Sequence, residues 1–399
     1  MYIFEEILDR LLEDQESNRK SVFHGQFARN RDKSTRAAVQ KDGEPLKEKP
    51  ELYMTFNAVQ TLQYLRYSIS QSSYKSVFRP VLEERKDKMR QAVNIAGDFA
   101  ERLLLQHSDN QFFITMHEKI AFGPIDEFIS YRHTVGAAII LRLLERRSDI
   151  ESKILRKLLT SDIQNRDGGW PIADKKHTTS DILCSAHAAY LFHLALKSGD
   201  YDDLRAQLEN RISSTLAFLT LQVEQKSGLW VYEHESGALP FTARTYPEVY
   251  KLLIDCNSPL VHQIPKRLLE HCRANDRPEY TMANRKKTGI RNMQQFEVRM
   301  AYAFKTASRS MPDEFLEAFA ETRYNALSRY SKSEYYETYD LCCLLMMLID
   351  SFNLSHKELV KDGVFVFEPI IEELPFVGKP YRVSKKIYER LKERKWLSF

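Results

Sequence analysis

Apolar and polar residues follow two alternating helical patterns along this chain. In one, apolar positions recur at the 3.6-residue period and leave a charged face, as in ILRKLLTSDI (154–163) and LENRISSTLAFLTLQ (208–222). In the other, a short polar segment with a Thr, Ser or Asp leads into a helix that is apolar nearly all round. Its members are Thr55 before FNAVQTLQYL, Thr134 before VGAAIILRLL, Asp181 before ILCSAHAAYLFHLAL, Thr245 before YPEVYKLL and Thr338 before YDLCCLLMML. The stretch NMQQFEVRMAYAF around Phe296 fits more loosely. A helix that is apolar all round is buried, and one with a charged face lies outside it, so the alternation predicts concentric inner and outer layers. About six such pairs close into an α/α toroid, an all-α fold in which inner helices line a cavity and their N-terminal ends gather at one mouth. The lead-in positions Thr55, Thr134, Ser180, Tyr246 and Tyr339 are irregularly spaced, which predicts loops of unequal length and two pairs within the last interval.

The pattern divides the chain into three parts. Residues 1–50 read as an N-terminal helix followed by a polar, basic arm broken by DGEP at 42–45, residues 51–355 as the toroid, and residues 356–399 as an extension. The extension holds a strand-like GVFVFEPII and a basic helix over Ser384 to Trp396. Length and composition agree with a helical reading. A chain of 399 residues buries a sufficient core without disulfides or metal, and 27 Gly plus Pro with 43% hydrophobic residues exclude disordered, collagen-like and turn-rich β classes. The longest apolar run, Leu341 to Ile349, is too short to span a bilayer, and the acidic amphipathic start is unlike a signal peptide. With five cysteines and no Cys-x-x-Cys pair, a cytoplasmic protein without structural disulfides is expected.

Charge changes the picture in one respect. The net +4 is the sum of +5 over residues 18–50, +6 over residues 379–399 and −7 elsewhere. The two basic flanks could meet an anionic partner such as nucleic acid, lipid or an acidic protein face, or could be solvated tails.

The sharpest local motif is Gln164-Asn-Arg-Asp-Gly-Gly-Trp170-Pro, after an amphipathic helix. Gly168 and Gly169 permit a tight turn there, and Trp170 can stack beside the Gln164 amide to tie neighbouring helix pairs together. The motif resembles the QW repeat, Q-x-x-x-G-x-W, of the squalene cyclase and terpene cyclase superfamily, whose relatives include protein prenyltransferase β subunits. A weaker copy ends at Trp230, with Gln222 eight residues before it. The resemblance implies an α/α toroid in which Gln164, Gly168, Trp170 and Trp230 have packing roles.

The chemistry of that superfamily is harder to locate. A D-x-D-D tetrad is present at Asp200, Asp202 and Asp203, but it follows an inner helix instead of leading into one, and capping of the next helix accounts for it. The register of the cyclase acid falls at Asp181, the one candidate catalytic residue. A single carboxylate facing helix N-terminal N–H groups suits an acceptor and not the proton donor that cyclisation needs. No D-D-x-x-D cluster exists for diphosphate ionisation. Zinc of the prenyltransferase kind would need Asp181, Cys184 and His187, with His177 nearby. Residues 181 and 187 lie about 120° apart around a helix, and Glu337 stands where a ligating His would be, so metal and cofactor are expected to be absent.

What remains is a mouth lined by Arg132, His133, Asp181, Arg244, Glu297, Tyr336 and Glu337 from the leading ends of inner helices. Mixed charge converging on a cavity fits a polar ligand tip or a protein loop, and interhelix salt bridges would use the same residues. The leading expectation is therefore a non-catalytic toroid that binds a ligand or a protein partner within a larger assembly. The alternatives are an enzyme acting on an isoprenoid or other hydrophobic small molecule, and a nucleic-acid-associated accessory protein using the basic arms.

Overall fold

A computed structural model of the chain describes residues 3–27, 30–32, 52–70, 78–119, 125–160, 162–175, 178–223, 231–234, 237–240, 252–253, 255–261, 263–264, 266–267, 270, 330, 335–348, 356–361 and 364–369. The fold is all-α, an α/α toroid, with short two-stranded ladders at the helix ends.

The layers follow the two sequence patterns. Helices α4 (Lys86–Leu105), α6 (Ser148–Thr160) and α8 (Arg205–Leu221) keep exposed charged faces, α1 (Ile3–Glu13) has a half-buried one, and a short α3 (Arg79–Glu84) runs into α4. Helices α2 (Leu52–Ser70), α5 (Tyr131–Leu143), α7 (Ile182–Ser198) and α9 (Thr338–Leu348) are buried almost all round. These inner helices pack in the order α9, α2, α5, α7, while α1 lies outside α9, α4 outside α2 and α5, and α6 and α8 outside α5 and α7. The N-terminal helix is thus the outer partner of an inner helix more than 300 residues away in sequence.

One fastening recurs between layers. The fourth residue of three inner helices is a fully buried hydroxyl, at Thr55, Thr134 and Ser185. Each accepts the backbone N–H of a buried apolar residue in the preceding segment: Phe27 at 3.0 Å, Ile114 at 3.0 Å and Trp170 at 2.8 Å. Thr134 and Ser185 also donate back to the carbonyls of Ser130 and Asp181 four residues earlier. Two residues before each anchor the backbone enters the left-handed region, at Gly25 (φ 99°), Phe112 (φ 67°) and Gly168 (φ 87°). Both glycines press on the next outer helix, where a Cβ would collide with the carbonyl oxygens of Ile95 and Ser214. A glutamine amide holds each of the two glycine turns. Gln15 Nε2 donates to Gly25 O (3.0 Å) and Ala92 O (2.7 Å), while Gln164 Nε2 donates to Gly168 O (2.7 Å) and Thr215 Oγ1 (3.2 Å).

The motif at 164–170 is therefore one copy of a turn this chain uses repeatedly to join an outer helix to an inner one. Gly168→Ala combines a disfavoured φ with a backbone collision, and is expected to cost about 1–3 kcal/mol of stability in a urea titration.

Ladders close the leading ends. Strand β1 (Asn30–Asp32) pairs with β8 (Tyr335–Glu337), directly before α9. Strands β2 (Thr115–Lys119) and β3 (Ile125–Ile129) form a hairpin before α5, and β4 (Trp170–Pro171) pairs with β5 (Ser180–Asp181) before α7. Strands β6 (Val231–His234) and β7 (Gly237–Pro240) form another hairpin. The strand expected within 363–371 is present as β10 (Val364–Pro369), paired with β9 (His356–Lys361). The basic helix expected over 384–396 lies outside the described residues. No helix among the described residues is long and apolar enough to cross a membrane.

Candidate functional site

The leading ends of α2, α5, α7 and α9 meet, and the residues they bring together are aromatic and charged. Tyr53, in the first turn of α2, lies at the centre. Its ring packs against His187 of α7 (centroids 5.4 Å) and Tyr339 of α9 (5.6 Å), and the Arg132 guanidinium of α5 sits over it at 5.0 Å. Phe56 meets His187 edge-on at 5.1 Å. Tyr53 and Arg132 are half-buried, whereas Phe56, His187 and Tyr339 are buried beneath them. Deeper along the same helices, Gln60 donates to the Tyr190 hydroxyl at 2.9 Å.

Local hydrogen bonds hold the charged residues in place. Ser130 caps α5: its Oγ lies 2.6 Å from His133 Nδ1 and accepts the His133 backbone N–H. The backbone N–H groups of Tyr131 and Arg132 donate to Ile172 O, and Asp174 Oδ1 accepts from Ile129 N at 2.8 Å. Asp181 is half-buried at the N-cap of α7 and accepts the Cys184 N–H through Oδ1 at 2.7 Å. The loop before it fixes its position, because Asp167 Oδ1 accepts from Ser180 Oγ (2.7 Å) and Gly169 N (2.9 Å), and Trp170 pairs with Asp181 across β4 and β5. Thr338, at the start of α9, donates to the buried Asp14 at 3.0 Å.

Arg132, His133 and Asp181 thus stand at the leading ends the sequence assigned to them. Tyr336 and Glu337 lie on β8 before α9, and Arg244, Glu297 and Trp230 lie outside the described residues. Gln164, Gly168 and Trp170 form the buried fastening turn. Tyr339 figured in the sequence only as a lead-in position and Tyr53 not at all, and nothing in their local pattern separates their rings from other aromatic residues of apolar helices.

Burial, reinforced by Asp181, pushes the Cys184 thiol well above its ordinary range, and Arg132 offsets this only in part. The thiol donates to Pro171 O at 3.2 Å. Among the described residues no group of three His, Cys, Asp or Glu side chains is placed to hold a metal ion. His177 is outside them.

The D-x-D-D tetrad lies at the opposite end of α7. Asp200 pairs with Arg142 (2.7 Å), Asp202 with Arg205 (3.0 Å) and Asp203 with Arg156 (2.7 Å), all with exposed carboxylates. Asp202 and Asp203 are acids in the first turn of the 3₁₀ segment Asp202–Leu204, but neither caps a helix, since no side chain caps that turn or α8.

No protein-family model and no curated protein matches the chain. Solved structures similar to it include the GH76A α-1,6-mannanase from Salegentibacter sp. HEL1_6, at 12% identity over 86% of this chain and 98% of that one, with TM-score 0.44. A family 76 glycoside hydrolase from a bovine Bacteroides thetaiotaomicron strain is similar at 8% identity over 87% and 77%, with TM-score 0.47. The Lin0763 protein from Listeria innocua is similar at 10% identity over 86% and 95%, with TM-score 0.46. These neighbours correct the assignment to the terpene cyclase and prenyltransferase superfamily: those whose activity is named are glycoside hydrolases. The leading expectation of a non-catalytic binding protein, and the isoprenoid and nucleic-acid alternatives, are corrected on the same finding. Physically, the Gln, Gly and Trp motif marks a turn between helix layers, which any toroid can use and which carries no chemistry of its own.

Proposed function

We propose that this chain is a carbohydrate-active enzyme whose substrate sits in the mouth formed by the leading ends of α2, α5, α7 and α9. One observation carries the reading: a half-buried Tyr53 ring flanked by Arg132, Tyr339 and His187, in the mouth to which Asp181 also belongs. A sugar ring is amphipathic. Its C–H face packs on an aromatic ring, and its hydroxyl edge takes hydrogen bonds from a guanidinium and gives them to a carboxylate. An oily substrate would leave those two charges desolvated and unsatisfied.

Hydrolysis of a glycosidic bond uses two carboxyl groups, one to protonate the leaving oxygen and one to activate water or attack the anomeric carbon. Asp181 supplies one candidate: its Oδ1 holds the Cys184 N–H, and among the described residues nothing binds its Oδ2. Glu337, the last residue of β8, is the candidate from the leading end of α9. On the same reading residues 51–355 form the catalytic body together with α1 and the Phe27 anchor of the N-terminal segment, residues 356–399 flank it, and the protein resides in the cytoplasm, in keeping with the unbridged thiols of Cys184 and Cys256.

The test is release of reducing ends from a panel of neutral and acidic oligosaccharides, with α-1,6-mannotriose among them. Asp181→Asn and Glu337→Gln are each expected to slow release by about 10²–10⁴-fold while leaving the circular dichroism spectrum unchanged. Full activity in both variants, or no turnover of any saccharide by the wild-type chain, would end this reading.

A further inference from the structure

We infer that the mouth selects an acidic sugar, one carrying an oxyanion that Arg132 receives; the inference rests on the carbohydrate reading and names its substrate class. The observation is a contrast among arginines. Arg85 pairs with Glu5 and Asp9, Arg142 with Glu151 and Asp200, and Arg147 with Glu101 and Asp149. Arg132 is half-buried too, yet no carboxylate among the described residues lies within ion-pair distance of it. Among the described residues its guanidinium packs over the Tyr53 ring, at 5.0 Å.

A cation–π contact takes up no N–H donor, so the fork of guanidinium donors stays available, and it matches the two oxygens of a carboxylate or sulfate. Asp181 does not quench it. The Arg132 backbone N–H donates to Ile172 O and Asp181 pairs with Trp170 across β4 and β5, so both flank the same short strand, and no ion pair joins them. A cation and an anion held near one another and kept apart fit a ligand with the complementary layout: an oxyanion for Arg132 and a hydroxyl or linkage oxygen for Asp181, with a ring between them on Tyr53. A neutral sugar would leave the guanidinium with hydroxyl acceptors alone, and hydrogen bonds to a charged acceptor are roughly twice as strong.

Calorimetric titration of the full chain distinguishes the outcomes. The probes are trigalacturonate, its methyl ester, a sulfated trisaccharide, α-1,6-mannotriose, and sodium acetate and sodium sulfate. Trigalacturonate or the sulfated trisaccharide is expected to bind at least about tenfold more tightly than both neutral sugars. Whichever of the two does so identifies the oxyanion as carboxylate or sulfate. Arg132→Gln should abolish the preference and Arg132→Lys should restore part of it, with both variants keeping the wild-type thermal transition. Neutral and acidic sugars binding equally would overturn the inference and leave the carbohydrate reading standing. Binding of acetate or sulfate without any saccharide would overturn the carbohydrate reading and the acidic-sugar inference with it. Absence of all binding, or a preference that survives Arg132→Gln, would also overturn the inference.

Discussion

Replacing Trp170 with alanine is expected to lower the unfolding free energy by about 3–5 kcal/mol, the range for removing a large buried aromatic side chain. Trp170 is fully buried, meets Phe192 edge-on at 5.4 Å, and donates its indole N–H to Thr215 Oγ1 at 3.1 Å. Alanine leaves a cavity at the junction of α7 and α8, and Thr215 loses one of the two donors that reach it, the other being Gln164. The equivalent anchors of the other two fastenings are Phe27 and Ile114, so the joint needs a buried apolar residue and not an indole. Trp170→Phe should therefore cost much less, about 1–3 kcal/mol for the lost hydrogen bond and the smaller ring. Urea unfolding followed by circular dichroism separates the two. Equal losses in the Ala and Phe variants would show that the indole hydrogen bond, and not the packing, holds the joint.

That comparison bears on how much of the molecule was legible. Inner and outer layers were readable because a helix buried on every side must be apolar on every side, and α5, α7 and α9 are so while α4, α6 and α8 are not. Thr55 and Thr134 stood out as polar residues opening apolar helices, and both are fastening hydroxyls. For α7 the marker chosen was Asp181, whereas Ser185 does the fastening and Asp181 caps the helix. The N-terminal copy, Gln15, Gly25 and Phe27, escaped notice because its Gln and Gly are ten residues apart instead of four. Spacing is free to vary when the contact closing the turn is made in space.

The site was legible where charge identified it and illegible where packing did. Arg132 and Asp181 stood out as first-turn charges on apolar helices. Nothing local marks the rings of Tyr53 and Tyr339 as a pair, and only the closing of α2 against α9 makes them neighbours. The ion pairs of Asp200 and Asp203 were illegible for a related reason: their partners, Arg142 and Arg156, lie on α5 and α6, too far along the chain for local pattern to suggest.

Glu151→Ala should be comparably damaging, and its pH dependence tells why. Glu151 is only 2% exposed and binds Arg142 Nε at 2.7 Å, while Arg142 also reaches Asp200 at 2.7 Å and lies over the Tyr201 ring, tying α5, α6 and the end of α7 together. Removing one partner of a buried pair strands the other, a loss of about 3–5 kcal/mol, here towards the lower end because Arg142 keeps Asp200. The pair is nevertheless not a simple gain. Burial pushes the Glu151 carboxyl above the ordinary carboxylate range, Arg142 pulls it back only in part, and Asp200 adds to the upward push. A carboxyl whose folded value is raised costs the folded state more once it ionises, so its contribution falls as pH climbs from the ordinary carboxylate value through the raised one, and levels off above. Glu151→Gln keeps an acceptor for Arg142 without that titration. The wild type's margin over the glutamine variant should therefore be largest on the acidic side of the window and shrink towards neutral pH, as measured by urea midpoints across the range. A margin that grew with pH would mean that the Arg142 pairing outweighs desolvation at Glu151, and that the trailing end of the toroid is held by charge.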